Sequence, residues 1–98
     1  MNIEYKNKKI EAVCTQYDCA VRRYNEAMAE KIHLRIDQIK ASLSVEDMIR
    51  FRVGKCHQLS GQRKLQYAMS LVEPYRLIFE KIGKDSISVN IVEIVDYH

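Results

Sequence analysis

Residues 65–79 read LQYAMSLVEPYRLIF and predict two neighbouring strands of one sheet. Apolar side chains recur at every second position on either side of a short turn, as on strands with one buried face. They are Leu65, Tyr67, Met69, Leu71, Tyr75, Leu77 and Phe79. The residues Val72-Glu73-Pro74 predict the turn, because proline has no N–H group to donate within a central strand.

A third strand is expected after the turn Gly83-Lys84-Asp85. Its first apolar residues, Ile87, Val89 and Ile91, alternate with polar ones. The alternation slips between residues 92 and 95. This slip predicts either a β-bulge or a strand that is buried on both faces.

Toward the N-terminus, the spacing of apolar residues predicts one long amphipathic helix that packs on the sheet. Its apolar stripe consists of Val21, Tyr24, Met28, Ile32, Ile36, Ile39 and Leu43. Thr15 and Asp18 have the spacing of a loose capping box at the start of this helix. His33 lies in mid-helix, where a solvated or lightly packed side chain is the expected role.

Shorter elements flank the long helix. Residues 2–6 predict a strand at a sheet edge, and residues 9–14 predict a brief helix. Ser44 and Asp47 repeat the capping pattern and predict a short helical turn that reaches Phe51. The order β-α-α-β-β-β indicates an α+β fold, with N-terminal helices packed on one antiparallel sheet. We expect a single domain over residues 1–98.

The composition is that of an ordinary globular protein. Hydrophobic residues make up 47% of the chain and charged residues 30%, which excludes a disordered chain. The net charge of +3 favours nucleic acid moderately over an acidic protein partner. No apolar run approaches the ~18 residues of a membrane span, and the N-terminus lacks a signal peptide. We therefore expect a cytoplasmic protein that has no membrane partner.

In a reducing compartment the cysteines are expected to be structural. Cys14, Cys19 and Cys56 are odd in number and form no CxxC pair, so small core residues are the expected role. A zinc site formed by these cysteines and His57 would fit no common ligand spacing.

A candidate site emerges in the C-terminal half. Gly54 and Gly61 flank a segment that predicts a loop whose backbone can approach a ligand or turn tightly. If the strands pair, six side chains could gather on one face of the sheet. They are His57, Arg63, Arg76, Asp96, Tyr97 and His98.

These residue types suit RNA cleavage by the substrate's own 2′-hydroxyl. The reaction needs a base for the 2′ proton, cations for the charge on phosphorus, and an acid for the leaving 5′ oxygen. Histidines can serve as base and acid near neutral pH, and the arginine forks of Arg63 and Arg76 fit phosphate oxygens. Tyr97 could stack on an unpaired base, and Asp96 could orient a neighbour or act as a base. No metal is required.

The pattern His57-x-Leu59-x-Gly61-x-Arg63, followed by Tyr75-Arg76-Leu77-Ile78-Phe79 and the terminal Asp96-Tyr97-His98, resembles the HigB group of the RelE/ParE toxin superfamily. These proteins are also called plasmid maintenance system killer proteins. The segment from Ser44 to Met48 fits the same group. The likeness covers nearly the whole chain in layout and is specific from about Ser44 onward.

The resemblance implies a toxin of a type II toxin–antitoxin pair that has a RelE-like fold and needs no cofactor. HigB members cut messenger RNA in the ribosomal A site. A HigA-like antitoxin with a helix-turn-helix domain neutralises them, so DNA would be reached only through the antitoxin. His57, Asp96, Tyr97 and His98 match the catalytic positions, and Arg63 and Arg76 match the basic positions. Ser60 departs from the pattern, because many relatives have an RNA-contacting lysine there.

Further expectations concern charge and proton transfer. Lys55 and Lys64, together with Arg63, should make the rim of the site positive and so help to bind RNA or the antitoxin. The α-carboxylate of His98 should favour its protonated ring. His98 is therefore the expected acid and His57 the expected base.

Two other functions stay open at this point. A ParE-like toxin would inhibit DNA gyrase without catalysis on the same fold. A degenerate member would only bind its antitoxin, and Ser60 in place of lysine is consistent with that.

Overall fold

The computed structural model describes residues 1–85 and 87–96. Within these residues four α-helices precede most of a five-stranded sheet. The helices are α1 (Lys8–Thr15), α2 (Tyr17–Arg23), α3 (Glu26–Ala41) and α4 (Val45–Arg50). The strands are β1 (Asn2–Tyr5), β2 (His57–Gln58), β3 (Gln66–Ser70), β4 (Tyr75–Lys81) and β5 (Ser88–Asp96). Short 3₁₀ turns at Val53–Lys55 and Gly61–Arg63 flank β2.

The strand order in the sheet is β1-β5-β4-β3-β2. Strands β2 to β5 are antiparallel to their neighbours, whereas β1 pairs with β5 in parallel. The prediction of an entirely antiparallel sheet was therefore wrong at this edge. The four helices between β1 and the rest of the sheet provide the long crossover that a parallel pair requires. The α+β class and the edge position of β1 are confirmed.

The predicted long helix is divided into two. Helix α2 ends at Arg23, and the Asn25 side chain accepts a hydrogen bond from the Met28 N–H at 2.8 Å, which starts α3. Thr15 does not cap a helix, because its hydroxyl donates to the Glu11 carbonyl within α1. The prediction of one continuous helix was wrong because apolar spacing alone does not reveal an asparagine that starts a new helix.

Helix α4 begins as predicted, with the Ser44 hydroxyl accepting from the Asp47 N–H at 3.1 Å. The segment after it differs from the predicted loop. His57 and Gln58 form an edge strand that pairs with Ala68 and Tyr67. This pairing fixes His57 against the sheet instead of leaving it on a free loop.

The main core lies between the helices and one face of the sheet. The α3 stripe contributes Met28, Ile32, Ile36 and Ile39, which pack with sheet residues such as Phe79. Leu43 and Leu65, both predicted to be apolar contacts, are 78% and 74% exposed. Strand β3 was expected to have one buried face, but residues from Tyr67 to Ser70 are all buried. On the side away from the helices, Leu59 packs with Ala68 and the Gly54 carbonyl accepts from the Ser70 hydroxyl.

A β-bulge in β5 confirms one of the two predictions for residues 92–95. Phe79 pairs with Ile91 and Ile78 pairs with Glu93, so Val92 is an extra residue in the ladder. Val92 packs on the face opposite the helices, and Glu93 reaches Arg63 there. Ile94 then packs toward the helices. Among the described residues no helix is both long and apolar enough to cross a bilayer.

Candidate functional site

The face of the sheet that the helices leave uncovered, here called the open face, carries the candidate site. His57 pairs with Ala68, Ala68 with Ile78, and Ile78 with Glu93. Directly paired residues on adjacent strands point to the same side of a sheet. His57 and Glu93 therefore belong to one row across the open face, with Ala68 and Ile78 as its buried apolar floor.

Arg76 lies on the same face, and Asp96 does not share it. Arg76 pairs with Val95, which packs on the open-face cluster, whereas Asp96 pairs with Tyr75, which packs toward the helices. The register thus brings His57, Arg63 and Arg76 to one surface, as predicted. The expectation that Asp96 joins them there was wrong, because the bulge at Val92 sets the side to which each later residue points.

His57 is exposed, and its ring orientation is set by one hydrogen bond. The ring Nδ1 lies 2.9 Å from the Lys55 carbonyl oxygen. A carbonyl can only accept, so Nδ1 carries the proton in this contact. In the neutral ring, Nε2 then has the free lone pair and is available to a substrate.

The backbone before His57 has an unusual conformation. Arg52, Gly54 and Lys55 have φ values of 55°, 57° and 55°, in the left-handed region. For Arg52 and Lys55 this conformation costs free energy of order 1–3 kcal/mol each and is typical of functional segments. It turns the Lys55 carbonyl toward the His57 ring. A pocket of about 470 Å³ opens beside this turn, lined by Ile49, Arg52, Lys55, Cys56 and His57.

Arg35 on α3 packs against this turn from the helical side of the sheet. Its Nε donates to the Ser70 carbonyl at 2.7 Å, and the Ser70 hydroxyl donates to the Gly54 carbonyl at 3.1 Å. Arg35 is 8% exposed, and burial lowers the pKa of its guanidinium from the ordinary value. A Cβ on Gly54 would lie 2.6 Å from Arg35 Nε. Gly54 therefore permits both the left-handed backbone and the close approach of Arg35.

Arg63 is held by acceptors from two strands. Its guanidinium donates to the Glu93 carboxylate on β5, and its Nε donates to Gln66 Oε1 on β3 at 2.6 Å. Gln66 in turn donates to Glu80 at 3.0 Å. The planar guanidinium is therefore oriented across the open face with a carboxylate as its partner.

Arg76, the second residue of β4, is bound in a similar way by Glu73 of the preceding turn. Its guanidinium contacts both carboxylate oxygens of Glu73, at 3.1 and 3.2 Å, and donates to its neighbour's carbonyl at 2.9 Å. Both arginines thus bind carboxylates through the groups that would bind a phosphate. Two oxygens of a phosphate can accept hydrogen bonds from a guanidinium in the same bidentate way as the two oxygens of a carboxylate.

The two predicted lysines lie at the edge of the site beside β2. Lys55 is exposed and lines the pocket next to His57. Lys64 is exposed, and its carbonyl accepts a hydrogen bond from the Gln58 side chain. Ser60, where the resemblance leads one to expect lysine, is exposed as well.

Tyr97 and His98, the other predicted site residues, lie outside the described residues. Within the described chain, no group of three or more His, Cys, Asp or Glu side chains is placed to hold a metal ion. His33 belongs to the helical layer. Its ring meets Tyr17 edge-on at 5.8 Å, and its Nε2 is buried without a hydrogen-bond partner among the residues described.

Sequence reasoning missed Glu73, Glu93 and Arg35. Glu93 would have been assigned to the open face only if the bulge had been located at Val92. Arg35 interrupts the apolar stripe of α3 next to Ile36, and this position could have indicated a buried cation. Glu73 precedes Pro74 in the turn and gave no signal beyond its spacing from Arg76.

No protein-family model and no curated protein matches the chain. Solved structures do resemble it. A YoeB/ParE toxin from Agrobacterium tumefaciens is 17% identical, with a TM-score of 0.64 and complete coverage of both chains. The YoeB–YefM complex from Staphylococcus aureus is 19% identical, with a TM-score of 0.64, and covers 100% of this chain and 97% of that one. The YoeB dimer from the same organism gives a TM-score of 0.62 at 19% identity and the same coverage. The chain therefore has the RelE-like fold of the YoeB toxins, as the sequence predicted.

Proposed function

We propose that this chain is the toxin of a type II toxin–antitoxin pair and that it cuts messenger RNA in the ribosomal A site without a metal. The observation that carries the proposal is the geometry of His57. Its Nδ1 is bound to the Lys55 carbonyl, and its Nε2 faces out of the same surface as Arg63 and Arg76. This is the combination of base and cations that transesterification at phosphorus requires.

The proposed reaction divides proton transfer between two histidines. His57 Nε2 takes the proton of the 2′-hydroxyl, and the 2′ oxygen attacks the adjacent phosphorus. His98 gives a proton to the departing 5′ oxygen, so a 2′,3′-cyclic phosphate and a 5′-hydroxyl result. Tyr97 completes the catalytic set in this proposal by stacking on a base, whereas Asp96, which lies on the other side of the sheet, is not part of it.

Arg63 and Arg76 bind the scissile phosphate by exchanging their carboxylate partners for its oxygens. Each guanidinium is already oriented, Arg63 by Glu93 and Gln66 and Arg76 by Glu73. This reduces the side-chain entropy that phosphate binding would otherwise cost. Lys55 and Lys64 contact the neighbouring backbone of the messenger.

The partners follow from the same proposal. A HigA-like helix-turn-helix antitoxin covers the basic rim, and DNA is contacted only through that antitoxin. The S. aureus YoeB, which has the same fold, occurs in a complex with YefM, and this supports an antitoxin partner here. The ribosome and its messenger are the substrate, in the cytoplasm, with no membrane involved.

The test is primer extension on a messenger that is being translated by purified ribosomes. We expect wild-type protein to produce cuts at A-site codons, and His57→Ala and His98→Ala to abolish them. His33→Gln is the matched control, since it removes a histidine from the helical layer and should leave cutting intact. Because His57 is exposed, its variant should keep the wild-type thermal midpoint.

Other outcomes would change the assignment. Equal cutting of free RNA would remove the ribosome from the mechanism. A folded wild-type protein that is toxic and cuts nothing would contradict the nuclease, and DNA gyrase would be the next target to assay. A folded protein without toxicity that still binds an antitoxin would indicate a degenerate member.

A further inference from the structure

Phe51, at the end of α4, is an exposed aromatic residue in a basic surrounding. It is 67% exposed, and the Arg50 guanidinium lies 4.7 Å from its ring centroid. Arg50 is itself held by Asp47 at 3.1 Å. A cation over one side of an exposed ring leaves the other side available to a second planar group.

After Asp47, the formal charges along the chain near Phe51 are all positive. From Met48 to Val72 the sequence contains no acidic residue and five basic ones, which are Arg50, Arg52, Lys55, Arg63 and Lys64. Arg52, the next residue after Phe51, lines the pocket of about 470 Å³ that also contains His57. Phe51 is therefore the chain neighbour of a residue that lines the cationic pocket at the proposed base.

We propose that Phe51 is a stacking site for an unpaired base of RNA, next to the phosphate at which His57 acts as the proposed base. This inference rests on the proposed function and adds a substrate contact to it. Single-stranded RNA is bound chiefly by aromatic stacking combined with cations along its backbone. Arg50, Phe51 and the base would form a stack, while Arg52 and Lys55 would contact the phosphates on either side.

The surrounding residues favour RNA over a protein partner. Protein contacts require an apolar core around the aromatic anchor, whereas the neighbours of Phe51 in sequence are Arg50 and Arg52. Tyr17 is the other exposed aromatic residue in the described chain, at 42%, and it lies near the carboxylates of Glu30, Glu26 and Asp18. Tyr17 is therefore a matched control in an environment that would repel RNA.

The experiment measures binding of a fluorescein-labelled 2′-O-methyl oligoribonucleotide, which lacks the attacking hydroxyl and is not cut. We expect Phe51→Leu to weaken binding about 5- to 100-fold, because leucine preserves apolar bulk and loses the ring. Phe51→Tyr should restore binding to within about 3-fold of wild type, and Tyr17→Leu should change it less than about 2-fold.

The outcomes separate this inference from the proposed nuclease. If wild type fails to cut on ribosomes and still binds the oligonucleotide in a Phe51-dependent way, the nuclease is excluded and the stacking site stands. If wild type cuts and Phe51→Leu binds the oligonucleotide as wild type does, the stacking site is excluded. Loss of ribosome binding in Phe51→Leu with unchanged oligonucleotide binding would also exclude it and indicate a protein contact.

Discussion

Arg63 is bound to a carboxylate, and this has a measurable consequence for the RNA binding proposed above. Arg63 and Glu93 are 38% and 43% exposed, so their ion pair contributes at most ~1 kcal/mol to stability. A phosphate can accept two hydrogen bonds from the Arg63 guanidinium only if it displaces the Glu93 carboxylate. In the proposed reaction Glu93 would therefore compete with the substrate, although it also holds Arg63 in position.

We predict that Glu93→Gln raises affinity for the uncleavable oligonucleotide about 2- to 5-fold, since the competing charge is worth only ~0.5–1 kcal/mol at this exposure. Fluorescence anisotropy at fixed salt would measure it. Glu30→Gln, which makes the same charge change on the exposed side of α3, is the control. Weaker binding in Glu93→Gln than in the control would mean that Glu93 positions Arg63 more than it competes.

At the scale of the element, the left-handed turn before β2 depends on the fit between Gly54 and Arg35. Gly54 and Gly83 both have positive φ, 57° and 71°, but only Gly54 has a neighbour that a Cβ would meet. Arg35 can move away only by giving up its bond to the Ser70 carbonyl. A buried guanidinium that loses a partner is costly.

We predict that Gly83→Ala lowers the free energy of unfolding by ~1–2 kcal/mol, which is the cost of left-handed alanine. Gly54→Ala should lower it by ~2–5 kcal/mol, because the lost Arg35 contact is added to the same strain. Urea denaturation of both variants provides the comparison. Equal losses of unfolding free energy in the two variants would show that Arg35 moves away from residue 54 without destabilising the fold.

The strands could be predicted from the sequence because their alternation is strong. The hairpin of β3 and β4 and the start of β5 follow directly from apolar residues at every second position. The break between α2 and α3 could not be predicted in this way, because the stripe continues through it from Val21 to Met28. Only the hydrogen bond from the Met28 N–H to Asn25 shows that a new helix starts there.

At the scale of the whole molecule, stability should depend on alkaline pH through two buried thiols. Burial raises the pKa of Cys14 and of Cys56 from 9.0 to about 12. Below pH 9 both thiols are protonated in the folded and unfolded chains. Above it the unfolded chain releases these protons first, so stability falls as pH rises toward 12.

We predict a loss of about 1.4 kcal/mol per pH unit for each thiol in this window. Urea denaturation at several pH values between 8 and about 11 would measure the slope. The double variant Cys14→Ala, Cys56→Ala should have a shallower slope than wild type, although its stability at neutral pH is lower. Parallel slopes would mean that the thiols ionise equally in both states.

The candidate site was predictable in its residue types and only partly in its arrangement. Pairing across β2, β3, β4 and β5 places His57 and Arg76 on one face, and Arg63 reaches the same face through its contact with Glu93. Asp96 was misplaced, and the carboxylates bound to the arginines were not foreseen. The side to which Asp96 and Glu93 point depends on the register of β5 after its bulge, and the contact of Glu73 depends on the conformation of a turn. Residue types alone predict neither of these features.

The bulge at Val92 acts as a change of phase in β5. Before it, odd-numbered residues face the helices, and after it even-numbered residues do. The position of a residue near the end of this strand must therefore be counted from the bulge and not from the strand's beginning. If Val92 instead took a regular place in the pairing, the single phase would turn the Glu93 carboxylate toward the helices and Ile94 to the open face. One backbone irregularity thus decides which chemical surface the last strand presents.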